Sequence, residues 1–117
     1  MSIGIVLNFL FFLGMGIVAL ANPQHVSSFF GIQLLSTDAR NEFRAVYGGF
    51  GVAVAVLLCL AVYQASLKPG IIIAVLLALL GMALGRVLGA LIERPGPWPV
   101  CFFFIELGLA GLLWWSL

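Results

Sequence analysis

The chain has 117 residues, 64% of them hydrophobic and 8% charged, with a mean hydropathy of +1.26. A soluble domain of this length needs a polar exterior that such a composition does not contain, so the chain reads as an integral membrane protein. Its net charge of +1 excludes the broad basic surface that neutralises phosphates, and no nucleic-acid partner is expected.

The first apolar run, Ile3 to Ala21, carries no charge. Its end, Ala19-Leu20-Ala21, fits a signal-peptide cleavage pattern, but no Lys or Arg precedes Arg40 to form the positive leader region. The run is therefore read as the first transmembrane helix. The polar segment "NPQHVSSFFGIQLLSTDARNE" follows. Asn22-Pro23 is a helix-start signal and Gly31 a stop, which predicts a short helix from Pro23 to Phe30. Val26, Phe29 and Phe30 form its apolar side, and it is expected at the membrane surface. His25 is read as an interfacial residue rather than a ligand. Ser36, Thr37 and Asp38 offer the N-cap of a second span.

That second span is predicted over residues 42–65, the third over 71–92 and the fourth over 98–116. Crossing a bilayer core takes about 20 helical residues, and each run is about that long. The connections "SLKPG" and "ERPGPWP" are too short for anything but reversal. The expected fold is all-α: an up-down four-helix transmembrane bundle with a short interfacial helix between spans 1 and 2, one domain over 1–117. The termini then share one side with Lys68, the terminal side. The Arg40 and Arg94 loops share the other, the loop side, which the positive-inside rule makes cytoplasmic.

Two ridges of small residues, Ala45-Gly49-Ala53, widened by Gly48 and Gly51, and Gly81-Gly85-Gly89, continued by Ala74 and Ala78, are spaced for close helix contact in lipid. They are expected to build this bundle in preference to a dedicated dimer face; a homo-oligomer or a partner membrane protein stays open. Cys59 and Cys101 lie in different runs and are read as inert thiols.

Counting depth at 1.5 Å per residue places Arg86 about 9 Å inside the loop side, Arg44 about 9 Å and Glu106 about 12 Å. Three ionisable residues on three helices thus reach one level. Charges in lipid are costly and normally face a bundle interior and pair, and a carboxylate suits the planar guanidinium fork. The expected ligand-binding set is Arg44, Arg86 and Glu106, with Tyr47, Glu93 and Glu42 toward the mouth. Two arginines against one glutamate leave a net positive charge, which favours an anionic amphiphile, a membrane lipid or another anionic ligand. The alternatives are a proton-linked small-molecule transporter acting through Glu106 and a bundle in which the ion pair only fixes helix register. No CxxC, metal-ligand cluster or nucleophile–base spacing occurs, so no catalytic residue, metal or cofactor is expected.

Three blocks, "NEFRAVYGGFG", "GRVLGALIERPGP" and "FIELGLA", resemble the signatures of a domain-of-unknown-function family of small bacterial four-helix inner-membrane proteins. The family is similar in general plan to DoxX-like proteins. Its Glu-x-Arg-Ala-x-Tyr-Gly-Gly pattern falls on Glu42, Arg44, Ala45, Tyr47, Gly48 and Gly49, its Gly-Arg on Gly85 and Arg86, and its Glu-Leu on Glu106 and Leu107. The resemblance implies a bacterial inner (cytoplasmic) membrane and the same residue set, without naming a reaction. Small multidrug exporters are similar in size only, since their essential glutamate lies in the first span, where this chain has no acidic residue.

Overall fold

The computed structural model describes residues 2–117, and among them there are helices and connections but no strand. Helix α1 runs over Ile3–Ala21, with the Ser2 side chain accepting from the Ile5 N–H at 3.2 Å. Asn22 then ends α1 by returning its N–H to the Val18 carbonyl, and its side chain caps the next helix, α2 (Pro23–Ser28). Pro23 has no N–H to lose at that position. Helix α2 stops two residues earlier than expected, because Phe29 and Phe30 turn into Gly31, which sits at φ +70°. Its apolar side faces the end of the bundle, where Val26 and Ser27 are buried. The Gln24 side chain holds the returning loop, donating to the Ile32 carbonyl and accepting from the Leu34 N–H at 2.8 Å.

Helix α3 (Thr37–Phe43), capped by Ser36, passes through one π-helical turn (Arg44–Gly49) into α4 (Phe50–Tyr63). Together they form one continuous helical stretch, Thr37–Tyr63. Helix α5 spans Lys68–Ile92, beginning ahead of Ile71 because Pro69 fits the first turn. Helix α6 spans Pro97–Trp115. Four helices are thus long and apolar enough to cross a bilayer. They pack in sequence as a ring, α1 on α4, α4 on α5, α5 on α6 and α6 back on α1. The Ser2 and Ser116 hydroxyls meet at 2.9 Å, joining the two ends of the chain on the terminal side.

The apolar core fills the terminal half of this ring: Ile5 and Phe12 meet Val54, Leu58, Ile72, Leu79, Leu109 and Leu113. Beyond Ala83, no residue of α5 is buried. The loop-side end of α5 is therefore held by other means, namely one ion pair and the aromatic rings of the α2–α3 connection.

Helix α1 approaches its neighbours backbone to backbone. A Cβ on Gly16 would lie 2.8 Å from the Gly48 carbonyl oxygen and the Val52 nitrogen, and one on Gly51 would lie 2.9 Å from the Phe12 oxygen. On the other flank, a Cβ on Gly4 would strike the Leu112 carbonyl, while Asn8 Nδ2 donates to the Leu109 carbonyl at 3.1 Å. The two ridges singled out in the sequence do something else. Ala45, Gly49 and Ala53 are exposed, as are Gly81, Gly85 and Gly89, and nothing lies within 4 Å of a Cβ placed on the last three. The expectation that these ridges build the bundle is corrected for these six positions, whereas Gly48 and Gly51, expected to widen the small face of the second span, do meet α1. In lipid both faces of a span are apolar, so spacing alone does not say which one turns inward.

Candidate functional site

Arg86 leaves α5 about two turns before its loop-side end. Its Nε donates to Glu106 Oε1 at 2.8 Å and its Nη2 to Oε2 at 3.1 Å, so α5 and α6 are joined by a bidentate pair. Both carboxylate oxygens are satisfied. That geometry is what permits Glu106 to be 3% exposed on a membrane-spanning helix. It is the one ion pair among the described residues.

Aromatic rings cover the guanidinium. The Arg86 Cζ stands 5.7 Å from the Phe30 ring centre and 5.8 Å from that of Phe102, within the reach of a cation–π contact. Phe30 and Phe102 are 5.3 Å apart, Phe29 packs against Trp98 at 4.7 Å, and Tyr47 stacks on Phe43 at 4.7 Å and near Phe30 at 6.4 Å. The segment after α2 therefore serves as an aromatic roof over the pair. Sequence reasoning placed Phe29 and Phe30 on an apolar helix side but not over Arg86. A six-residue helix followed by two phenylalanines gives no indication whether they meet lipid or a cation.

Arg86 is less enclosed than its partner, with 26% of its side chain exposed against 4% for Glu106. The exposed edge opens into a groove of about 570 Å³ on the outer seam of α5 and α6. Gly89, Ala90, Pro99 and Phe103 form its walls, and Glu93 and Arg94 stand at its loop-side end. Gly89 has no side chain to fill this space, and Pro97 and Pro99 at the start of α6 follow the extended "ERPG" connection. The Nη1 group of Arg86 has no hydrogen-bond partner among the described residues, so one side of the fork remains available.

The other expected site residues separate from this centre. Arg44 is exposed, and its Nε donates to the Leu20 carbonyl at 3.1 Å. There the cation meets one of the open carbonyls at the C-terminal end of α1, a favourable position for it. It forms no ion pair with Glu106, so the expected three-residue cluster of Arg44, Arg86 and Glu106 is not assembled. The depth count was made for an uninterrupted α-helix, whereas the π turn Arg44–Gly49 changes which way successive side chains point. Tyr47 joins the aromatic roof, two rings from Arg86. Glu42 is exposed on α3, without an ion-pair partner. Glu93 lines the groove with Arg86. Arg94, Ala90 and Phe103 were not among the expected site residues. The signal for Arg94 was its place two turns beyond Arg86, masked by the loop in which it lies. Cys59 and Cys101 are free thiols, and no three His, Cys, Asp or Glu side chains gather as a metal site among the described residues.

The profile of the family described as Domain of unknown function (DUF4345) matches residues 1–117. The chain belongs to this family. The resemblance carried by the three sequence blocks thus holds at the level of an uncharacterised family. No curated protein and no solved structure matches the chain. In this DUF4345 member, the groove beside the Arg86–Glu106 pair is the feature that bears on activity.

Proposed function

We propose that the protein binds a membrane amphiphile whose head carries an anionic group. The head lies against Arg86 and Arg94, and the chain runs along the apolar seam of α5 and α6. The observation that carries this reading is the exposed edge of Arg86 opening into a groove of about 570 Å³. An ion pair serving only to lock two helices gains nothing from leaving one partner a quarter exposed, and it needs no trough beside it. Small-molecule sites are concave and mostly apolar, with a few polar groups fixing orientation, and the groove has that composition. A guanidinium fork receives phosphate or carboxylate through two parallel bonds, and inside the bilayer boundary such a bond has little competition from water.

The test fills the trough without touching the ion pair. Ala90 is exposed and lines the groove, so Ala90→Trp occupies it while the core stays unchanged. Native mass spectrometry of protein purified in mild detergent is expected to find retained lipid on the wild type. Retention should fall by about tenfold or more in Ala90→Trp at equal helicity and melting temperature, corresponding to at least 1.4 kcal/mol of lost binding. Equal retention by both proteins, or none by the wild type, would overturn the reading.

A further inference from the structure

We infer that the head group selected by this groove is zwitterionic, with a phosphate facing Arg86 and Arg94 and an ammonium facing Glu93. This deepens the amphiphile reading above and rests on it. Charge balance at the groove carries this assignment. The charge of Arg86 is already matched by Glu106, bond for bond. What remains at the mouth is one cation, Arg94, and one anion, Glu93, both exposed and both lining the same space. Neither belongs to an ion pair among the described residues, although they are neighbours in sequence.

The backbone explains why they do not neutralise each other. Glu93 ends α5 in an extended conformation, at φ −144° and ψ 145°, with its N–H tied to the Gly89 carbonyl at 2.9 Å. The extended backbone at Glu93 carries the chain off the helix, and the two side chains reach the groove without meeting. Pro95 then restricts Arg94 to extended geometry as well. Two opposite charges are therefore held apart at the end of an apolar trough.

A head group with net negative charge gains from Arg94 and loses to Glu93. A head carrying phosphate and ammonium together satisfies both, and the unpartnered edge of Arg86 adds donors on the phosphate side. The arginines alone would suggest an anionic lipid, and Glu93 reverses that preference. Arg44, which would have added the surplus positive charge, is bound to the Leu20 carbonyl instead.

The experiment titrates delipidated protein with phosphatidylethanolamine and with phosphatidylglycerol of identical acyl chains, reading the bound fraction by native mass spectrometry. Wild type is expected to favour phosphatidylethanolamine by about three- to fivefold, the range of one partly solvated ion pair. Glu93→Gln should remove that preference by weakening phosphatidylethanolamine and leaving phosphatidylglycerol as tight or tighter, while Arg94→Gln should weaken both lipids. Both residues are exposed on a connection, so neither change threatens the fold. Equal or tighter binding of phosphatidylglycerol by wild type, or an unchanged ratio in Glu93→Gln, overturns the zwitterion assignment and leaves the amphiphile reading standing. Failure of both lipids to bind wild type removes the two together.

Discussion

Arg86→Leu is expected to destabilise the bundle by about 3 kcal/mol, and Glu106→Leu by a similar amount, whereas the double replacement recovers most of the loss. Each single change leaves one charge facing apolar surroundings. Glu106 is the more severe case, because it is 3% exposed and has no water to turn to. Arg86 has an outlet in the groove, so an unpaired Arg86 is tolerated better than an unpaired Glu106, and Glu106→Leu should be the milder of the two singles. With both gone, leucines on α5 and α6 pack against Phe30 and Phe102 as ordinary core. Thermal or detergent-induced unfolding followed by circular dichroism measures all three variants. If both single variants unfold with the wild type, the pair does not hold the loop-side half together. Lipid retention by the folded double variant then separates the two roles of Arg86, since a stable bundle without the guanidinium should lose the head-group contact.

The second large effect concerns glycines that look alike in sequence. Gly16→Ala is expected to cost about 2–3 kcal/mol, because its new Cβ would lie 2.8 Å from backbone atoms of the π turn and α4, which have no rotamer by which to yield. Gly85→Ala should be neutral or stabilising by up to about 1 kcal/mol, since alanine is the better helix former and nothing lies within 4 Å of its Cβ. The same unfolding measurement decides it. A Gly85→Ala variant that loses as much stability as Gly16→Ala would show that the outer ridge of α5 is packed against something.

Part of the charged site is legible in the sequence and part is not. The pairing of Arg86 with Glu106 was legible because lipid makes an isolated charge expensive, and a depth count then leaves few possible partners. Arg44 passed the same depth count and still belongs elsewhere. Depth is set by the number of residues, which sequence supplies. Direction around the helix axis depends on the local winding, and one π turn between Arg44 and Gly49 alters it. The roof of Phe29 and Phe30 was illegible for a related reason, since aromatic side chains serve equally well against lipid, against each other or over a guanidinium.

Composition, run length and short connections determined by themselves that this chain makes four membrane-length helices in up-down order, and that a charge deep within a span must be paired. Each follows from a cost that every such chain meets in a bilayer: a charge or an unbonded backbone group has no water to satisfy it. Tertiary structure alone decided which small-residue face turns inward, that Arg44 turns away from Glu106, and that Arg94 joins Glu93 on one groove with the free edge of Arg86. Inside a bilayer the faces of an apolar helix differ little in hydropathy. Their choice falls to backbone fit at Gly16 and Gly51, to the π turn, and to the prolines that shape the entry to α6.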